Sequence, residues 1–299
     1  MKHPARYLWL VVMLLLSGCA KPREVVVYTS QDQVFAEPLF KQFEKDTGIK
    51  VRALFDGEAV KTALLANRLL AERGRPVCDV FWSNEEFRAR QLQAMQVLQP
   101  GEGFRQFGYR SRMLVTKDGF AGPMPKSLIE LTNNAWRGKV AMAYPLFGTT
   151  AAHFLLLKQQ WGPTVWEAWV RGLAANGIKW VDGNSAVVRF VSRGEAAVGV
   201  TDWDDVAAGQ AEGLKVKGHT FGAESVRTPN SVGLVIGAPH PGEAKAFLDY
   251  LMSEPVRKSL AAAKALESAE LTASFAIDWS GLLASAERDL EFLRKAIVR

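Results

Sequence analysis

Cysteine is nearly absent from this sequence. The two in 299 residues, Cys19 and Cys78, exclude both a disulfide scaffold and a cysteine-rich metal site. Histidine is scarce as well, with His3, His153, His219 and His240 only. None of the four falls in a catalytic pattern, and neither a Gly-x-Ser-x-Gly elbow nor a His-Glu-x-x-His helix is present. An enzyme is therefore not expected. The Gly101/Gly103 pair does not complete a dinucleotide fingerprint. There is no internal repeat and no low-complexity tract. The formal charge is +6, from 37 basic and 31 acidic residues. Its basic members, among them Arg73, Arg75, Arg88, Arg90, Arg110 and Arg112, are scattered and read as solvated surface. No aromatic-interleaved basic stripe is present, so nucleic acid is not an expected partner.

Long apolar runs are limited to one. Lys2 and Arg6 precede Tyr7 to Leu16, and Leu16-Ser17-Gly18-Cys19 follows. A basic start, a short apolar core and small residues make an export signal, too short to span a bilayer. The Leu-Ser-Gly-Cys ending resembles the lipobox of bacterial lipoproteins. That resemblance implies cleavage before Cys19, a diacylglyceryl thioether on it, and tethering to a membrane face. Cys78 is then left without an intrachain partner and reads as a small buried residue.

What is present is alternation of strand and helix. Val25 to Tyr28 reads as a buried strand with a polar corner at Thr29, Ser30, Gln31 and Asp32. A helix carrying Phe35, Leu39, Phe40 and Phe43 stops at Gly48. Ile49 to Phe55 is a strand, Asp56-Gly57-Glu58 a turn, and Val60, Leu64, Leu65 and Leu69 a second helix. Cys78 to Trp82 is a third strand, and Ser83-Asn84-Glu85-Glu86 its corner. This β-α-β-α-β-α order implies a parallel sheet with right-handed crossovers. Residues 101–108 read as a loop and Arg112 to Thr116 as a strand leaving the first lobe. The second half repeats the pattern. Val140 to Ala143 leads to the corner Gly148-Thr149-Thr150, and Ile178 to Val181 to the corner Asp182-Gly183-Asn184-Ser185. Pro229-Asn230-Ser231 and then Val232 to Ile236 read as a return strand, and about Ile277 to Val298 as an amphipathic helix packed on a lobe.

The densest chemistry lies at Gly194 to Asp205. A small-apolar run ends in Asp202, Trp203, Asp204 and Asp205, placing charge at a strand's carboxyl end, where open α/β sheets bind ligands. One of these acids suits a helix N-cap. The Gly148-Thr149-Thr150 corner offers N–H and hydroxyl donors to an anion, or serves as a plain Thr cap.

Several segments resemble the solute-binding proteins of ATP-driven importers, and within them the ferric-iron-binding branch. They are Val25 to Asp32, Phe43 to Val51, Ala71 to Trp82, Trp136 to Val140, Gly194 to Gly199 and Gly237 to Pro241. The resemblance implies an α/β, two-lobe periplasmic-binding-protein fold with crossed hinge strands (class II). Its implied divisions are a signal at 1–18, a first lobe over 19–113 and a second lobe over 114–226. A return segment over 227–270 and a helical tail over 271–299 complete them. It also implies delivery of cargo to a permease and its ATPase, by a monomer exported and lipid-anchored on the periplasmic or cell-surface face.

Carried over residue by residue, the family's pattern is altered here. Asp32 stands where the iron binders place His. Asn84, with Glu85 beside it, stands where they have an acid. Asp204 and Asp205 stand where they have a Tyr pair, so ferric phenolate chemistry is excluded. Thr149, Thr150 and Asn184 match the anion-holding positions, but Asp202 replaces a second Asn. The site expected from this is Asp32, Asn84, Glu85, Asp202, Asp204 and Asp205 for a metal ion. Ser30, Thr149, Thr150 and Asn184 are expected to hold an anion or ligand. Left uncompensated, the carboxylates would repel one another and call for a cation. Oxygen donors suit hard cations, ferric iron first by resemblance, as cargo rather than cofactor. The alternatives are an organic cation cradled by Trp82 and Trp203, or a phosphate- or phosphonate-type anion.

Overall fold

A computed structural model describes residues 22–55, 63–272 and 276–297. The expected signal over 1–18, Cys19, the turn at 56–58 and Val60 lie outside the described residues. Among the described residues no helix is long and apolar enough to cross a membrane.

The first half-sheet starts with β1 (Glu24–Thr29), which pairs in parallel with β2 (Lys50–Phe55) and β3 (Val80–Ser83). Helix α1 (Gln33–Thr47) connects β1 to β2 and buries Ala36, Leu39, Phe40 and Phe43, its helical-period stripe. It ends where Gly48 takes φ +69° and donates its N–H to Glu44 O at 2.9 Å. Helix α2 (Ala63–Glu72) leads to β3, and α3 (Phe87–Ala94) follows it.

Strand β4 (Phe104–Lys117) carries the chain between halves. Its Phe104–Ser111 part pairs antiparallel with β9 (Arg227–Leu234), which lies against β3. From Arg112 on, it pairs with β7 (Val198–Asp202) and then β8 (Val216–His219). The second half-sheet continues in parallel from β7 to β5 (Val140–Ala143) and β6 (Lys179–Val181). Helices α4 (Gly148–Trp161), α5 (Pro163–Ala175), α6 (Asn184–Arg193) and α7 (Trp203–Ala211) flank it. Helices α8 (Pro241–Met252) and α9 (Glu254–Ala262) return to the first half, where Phe247 meets Phe43 edge-on at 5.1 Å. Helix α10 (Trp279–Ile297) lies on the second half, with Phe292 against Trp166 and Lys158 Nζ 2.6 Å from Asp289.

The apolar cores follow this division. One, containing Val115, Val140, Leu157, Trp166 and Val198, fills the second half. Two others, around Phe43, Trp82 and Phe247 and around Phe81 and Leu98, fill the first. This is the two-lobe α/β architecture with crossing strands that the resemblance implied.

Three readings of the sequence are corrected. Phe104 to Gly108 is strand, not loop; its buried Phe104 and Phe107 are three residues apart, with Arg105 and Gln106 between them, and a bulge follows between Phe107 and Tyr109, so no two-residue period shows. The return strand is Arg227–Leu234, starting two residues before the expected Pro229 and ending two before Ile236; Pro229 is tolerated within it because it pairs with Tyr109, beside that bulge. Arg110 and Arg112 are not solvated surface: they are 2% and 0% exposed.

Candidate functional site

Strands β5, β6 and β7 run in parallel, so their carboxyl ends share one edge of the second half-sheet. Each is followed by a helix: α4, α6 and α7 begin at Gly148, Asn184 and Trp203. Three helix N-termini therefore meet there, each with a partial positive charge and unpaired N–H groups. Gly148 and Gly183 make two of these entries, at φ +53° and +95°, a region costly for a residue with a Cβ. Facing them across the gap are Asp32 at the start of α1 and Asn84 after β3. The cleft so formed is open to solvent and is lined by Asp32, Asn84, Arg110, Tyr144, Thr149, Thr150, Asn184, Asp202, Asp204 and Asp205, among others.

Asp202 is held from several sides. Its Oδ1 accepts from Arg112 Nη1 at 2.9 Å, its direct partner across β4 and β7. Its Oδ2 accepts from Asn184 Nδ2 at 2.8 Å and from the Thr149 hydroxyl. Asn184 Nδ2 also donates to Thr149 Oγ1 at 2.9 Å, and Thr150 Oγ1 donates to Asn184 Oδ1 at 3.2 Å. The donors expected to seat an external anion are thus turned largely onto the chain's own carboxylate.

Asp204 meets Arg110. Arg110 Nη1 donates to Asp204 Oδ2 at 2.5 Å, and Nη2 to Asn84 O at 3.0 Å. Burial, followed by the charges of Asp202 and Asp32, pushes the Asp204 carboxyl up to about 6 against the pull of Arg110. For Arg110, burial would lower the pKa, but Asp204 and Asp202 outweigh it and hold the guanidinium up and charged. With the acid near 6 and the guanidinium held charged, the pair is ionic near neutrality, and the acid loses its charge as pH falls. Asp204 Oδ1 is buried without a hydrogen-bond partner among the described residues. Oxygens of Asp202, Asp204 and Asp205 lie within 4.8 Å of one another, close enough to hold a metal ion.

The remaining expected residues divide. Ser30 is tied to the first-half corner: Asn84 N donates to Ser30 Oγ at 3.0 Å, and Ser30 Oγ donates to Asn84 Oδ1 at 3.1 Å. It fixes Asn84 and is not in the cleft lining. Glu85 turns away. Both of its carboxylate oxygens accept from Arg88 N at 3.1 Å, capping α3, and burial pushes it up to about 7. Of the two tryptophans considered for an organic cation, Trp82 lies in the first-half core, against Phe40 and Phe107. Trp203 packs on the second-half core.

Sequence reading missed Arg110 and Arg112, and with them the compensation of two acids. The acids are not uncompensated. The available signal was the match of Arg110-Ser111-Arg112 with Asp202-Trp203-Asp204, two like charges at the same spacing; the structure brings them together where β4 pairs with β7.

The family described as bacterial extracellular solute-binding protein matches residues 24–263. The major ferric iron-binding protein of Neisseria meningitidis serogroup B is 24% identical, over 89% of this chain and 86% of that protein. The structure of iron-bound HitA from Pseudomonas aeruginosa superposes with a TM-score of 0.80, at 21% identity, covering 92% of this chain and 99% of that one. AfuA from Actinobacillus pleuropneumoniae, with exogenous fructose-6-phosphate bound, superposes with a TM-score of 0.76, at 18% identity over 92% and 98%.

Proposed function

Since the chain belongs to the bacterial extracellular solute-binding proteins, we propose that it is the lipid-anchored capture component of an importer whose cargo is a metal ion, ferric iron first. It would be tethered through Cys19, act as a monomer, and hand its cargo to a membrane permease driven by an ATPase. The observation that carries this reading is the buried, unpartnered Oδ1 of Asp204 beside the carboxylates of Asp202 and Asp205. Oxygen-only donor sets suit hard cations. Asp204 Oδ1, Asp205 and Asp32 are the proposed first contacts. Asp202, already held by Arg112, Thr149 and Asn184, would set their position. Asn84 would act as a neutral fixer from the opposite lobe. The named cargo of the Neisseria and Pseudomonas relatives supports iron.

The lobes would close about β4 and β9, where the chain crosses twice. Cargo touching both lobes stabilises the closed state and shifts an existing equilibrium. The test is elemental analysis of the purified mature protein, followed by titration with ferric citrate before and after chelation. Iron that is bound, removed by chelator and restored supports the reading; no iron and no ion-dependent rise in melting temperature overturns it.

Arg110 in the cleft wall favours a second reading, a phosphate-bearing organic solute. Such a ligand would survive chelation and appear in a native mass spectrum.

A further inference from the structure

Arg110 is the last residue of this row in the cleft lining, but behind it polar side chains continue across the sheet. On β4 and β9, Arg110 stands opposite Thr228 and Phe107 opposite Asn230; the bulge between Phe107 and Tyr109 keeps this pairing in step. On β3, Trp82 stands opposite Val232 and, on its other side, opposite Thr29. Residues directly opposed, or two apart on a strand, share a face of the sheet. Arg110, Thr228, Asn230 and Trp82 therefore form one stripe, and the Trp82 and Phe107 rings lie 6.4 Å apart along it. Gln31 follows Thr29 by two residues and adjoins Asp32 of the cleft wall.

All five residues are 2% exposed or less. Among the described residues, both amide atoms of Gln31, both of Asn230, Thr228 Oγ1, Trp82 Nε1 and Arg110 Nε have no hydrogen-bond partner. Buried polar atoms are nearly always paired, and apolar side chains of the same shape would serve packing better. Folding alone does not account for such a stripe starting at a ligand cleft. Its chemistry is mixed. A bare cation would use acceptors only, and an oxyanion donors only; this stripe offers both, as hydroxyl groups require.

We propose that the stripe is a second compartment of the cleft, taking the hydroxyl-bearing part of an organic anion whose charged end lies toward Arg110. The inference rests on the reading of the interlobe cleft as the solute site. The anion has two possible sources: a hydroxylated chelator arriving with the metal, or a free sugar phosphate.

Three probes separate these on the wild type, Gln31→Leu and Asn230→Leu: ferric gluconate, glucose 6-phosphate without metal, and ferric ion with inorganic phosphate. Each leucine variant is expected to weaken a hydroxyl-bearing probe about tenfold or more, with ferric phosphate binding within twofold of wild type. Binding of ferric gluconate with this pattern makes the chelator the source. Binding of glucose 6-phosphate alone makes the source a sugar phosphate; the compartment then stands and the metal reading fails. Ferric phosphate bound as tightly as ferric gluconate, with both variants indifferent, overturns the compartment and leaves the metal site. Binding of no probe overturns both. Should a leucine variant not fold, a wild-type crystal structure with the tightest probe decides: hydroxyls on Gln31 and Asn230 support the compartment, and only solvent there overturns it.

Discussion

Arg110 and Asp204, 94 residues apart in the chain, form a buried ion pair with Nη1 to Oδ2 at 2.5 Å, 2% and 5% exposed at the side chains. Arg110 comes from the crossing strand and Asp204 from the first turn of α7, while the other guanidinium nitrogen holds the Asn84 carbonyl. One side chain thus joins the crossing strand to both walls of the cleft. Removing one partner strands a buried charge. Asp204→Ala is expected to cost about 3–5 kcal/mol, and the paired exchange Arg110→Met with Asp204→Leu to recover most of it. Urea denaturation of Arg110→Met, Asp204→Leu and their combination measures this coupling; additive losses would mean the pair is not an energetic unit.

Cargo binding should separate the acids by place rather than by charge. Asp205→Asn and Asp32→Asn each remove charge from the cleft lining and are expected to weaken ferric citrate binding about tenfold or more. Glu86 is occupied elsewhere, with Arg90 Nε 2.6 Å from its carboxylate. Glu86→Gln should leave affinity within about twofold. Calorimetric titration of the three variants checks the order, and equal losses would argue against the cleft acids as the contact set.

The lobes were legible because strand and helix alternate with clear apolar periods, as in Val25–Val27 and in the Leu39, Phe40 and Phe43 stripe. Corners such as Ser83-Asn84 and Asp182-Gly183-Asn184 also announce strand ends. Of the crossing strand, Arg112 to Thr116 was legible and Phe104 to Ser111 was not. Arg105, Gln106 and Arg110 break the apolar pattern there, and a buried arginine is indistinguishable in sequence from an exposed one until its acid partner is placed. Glu85 was misread for the converse reason: an acid at a corner reads as a ligand, yet here it caps the helix it precedes.

Glu85 supplies a pH dependence. Its carboxyl is raised from the ordinary 4.5 to about 7 by burial, only partly offset by Arg88. The native state therefore holds this proton more tightly than the unfolded chain. That contribution is fully present below 4.5 and is lost as pH rises through about 7. Wild type should lose about 2–3 kcal/mol of stability between pH 4.5 and 8 from this group. Glu85→Gln keeps an acceptor for the cap and removes the titration, so its profile should be flatter by that amount. Melting curves of both proteins across this range settle the matter; parallel profiles would show that Glu85 does not titrate there.

Gly199 ties packing to the site. It is the second residue of β7, under α6, and a Cβ there would fall 2.3 Å from Val187 Cγ1 and 3.1 Å from both Val115 Cγ1 and Val191 Cγ2. Those contacts come from a β-branched strand neighbour and two β-branched helix residues, none with a free end to swing aside. Gly199→Ala must therefore push β7 and α6 apart, at about 1–3 kcal/mol, and lower the melting temperature by several degrees. Gly242, in the first turn of α8, has nothing within 4 Å of its Cβ position, and Gly242→Ala should be neutral or slightly stabilising. Three residues beyond Gly199 on the same strand is Asp202, and α6 begins with Asn184, which holds it. The same displacement should therefore weaken ferric citrate binding in Gly199→Ala but not in Gly242→Ala. A Gly199→Ala protein that melts early yet binds normally would show the acidic corner to be positioned by its hydrogen bonds to α4 and β4 alone.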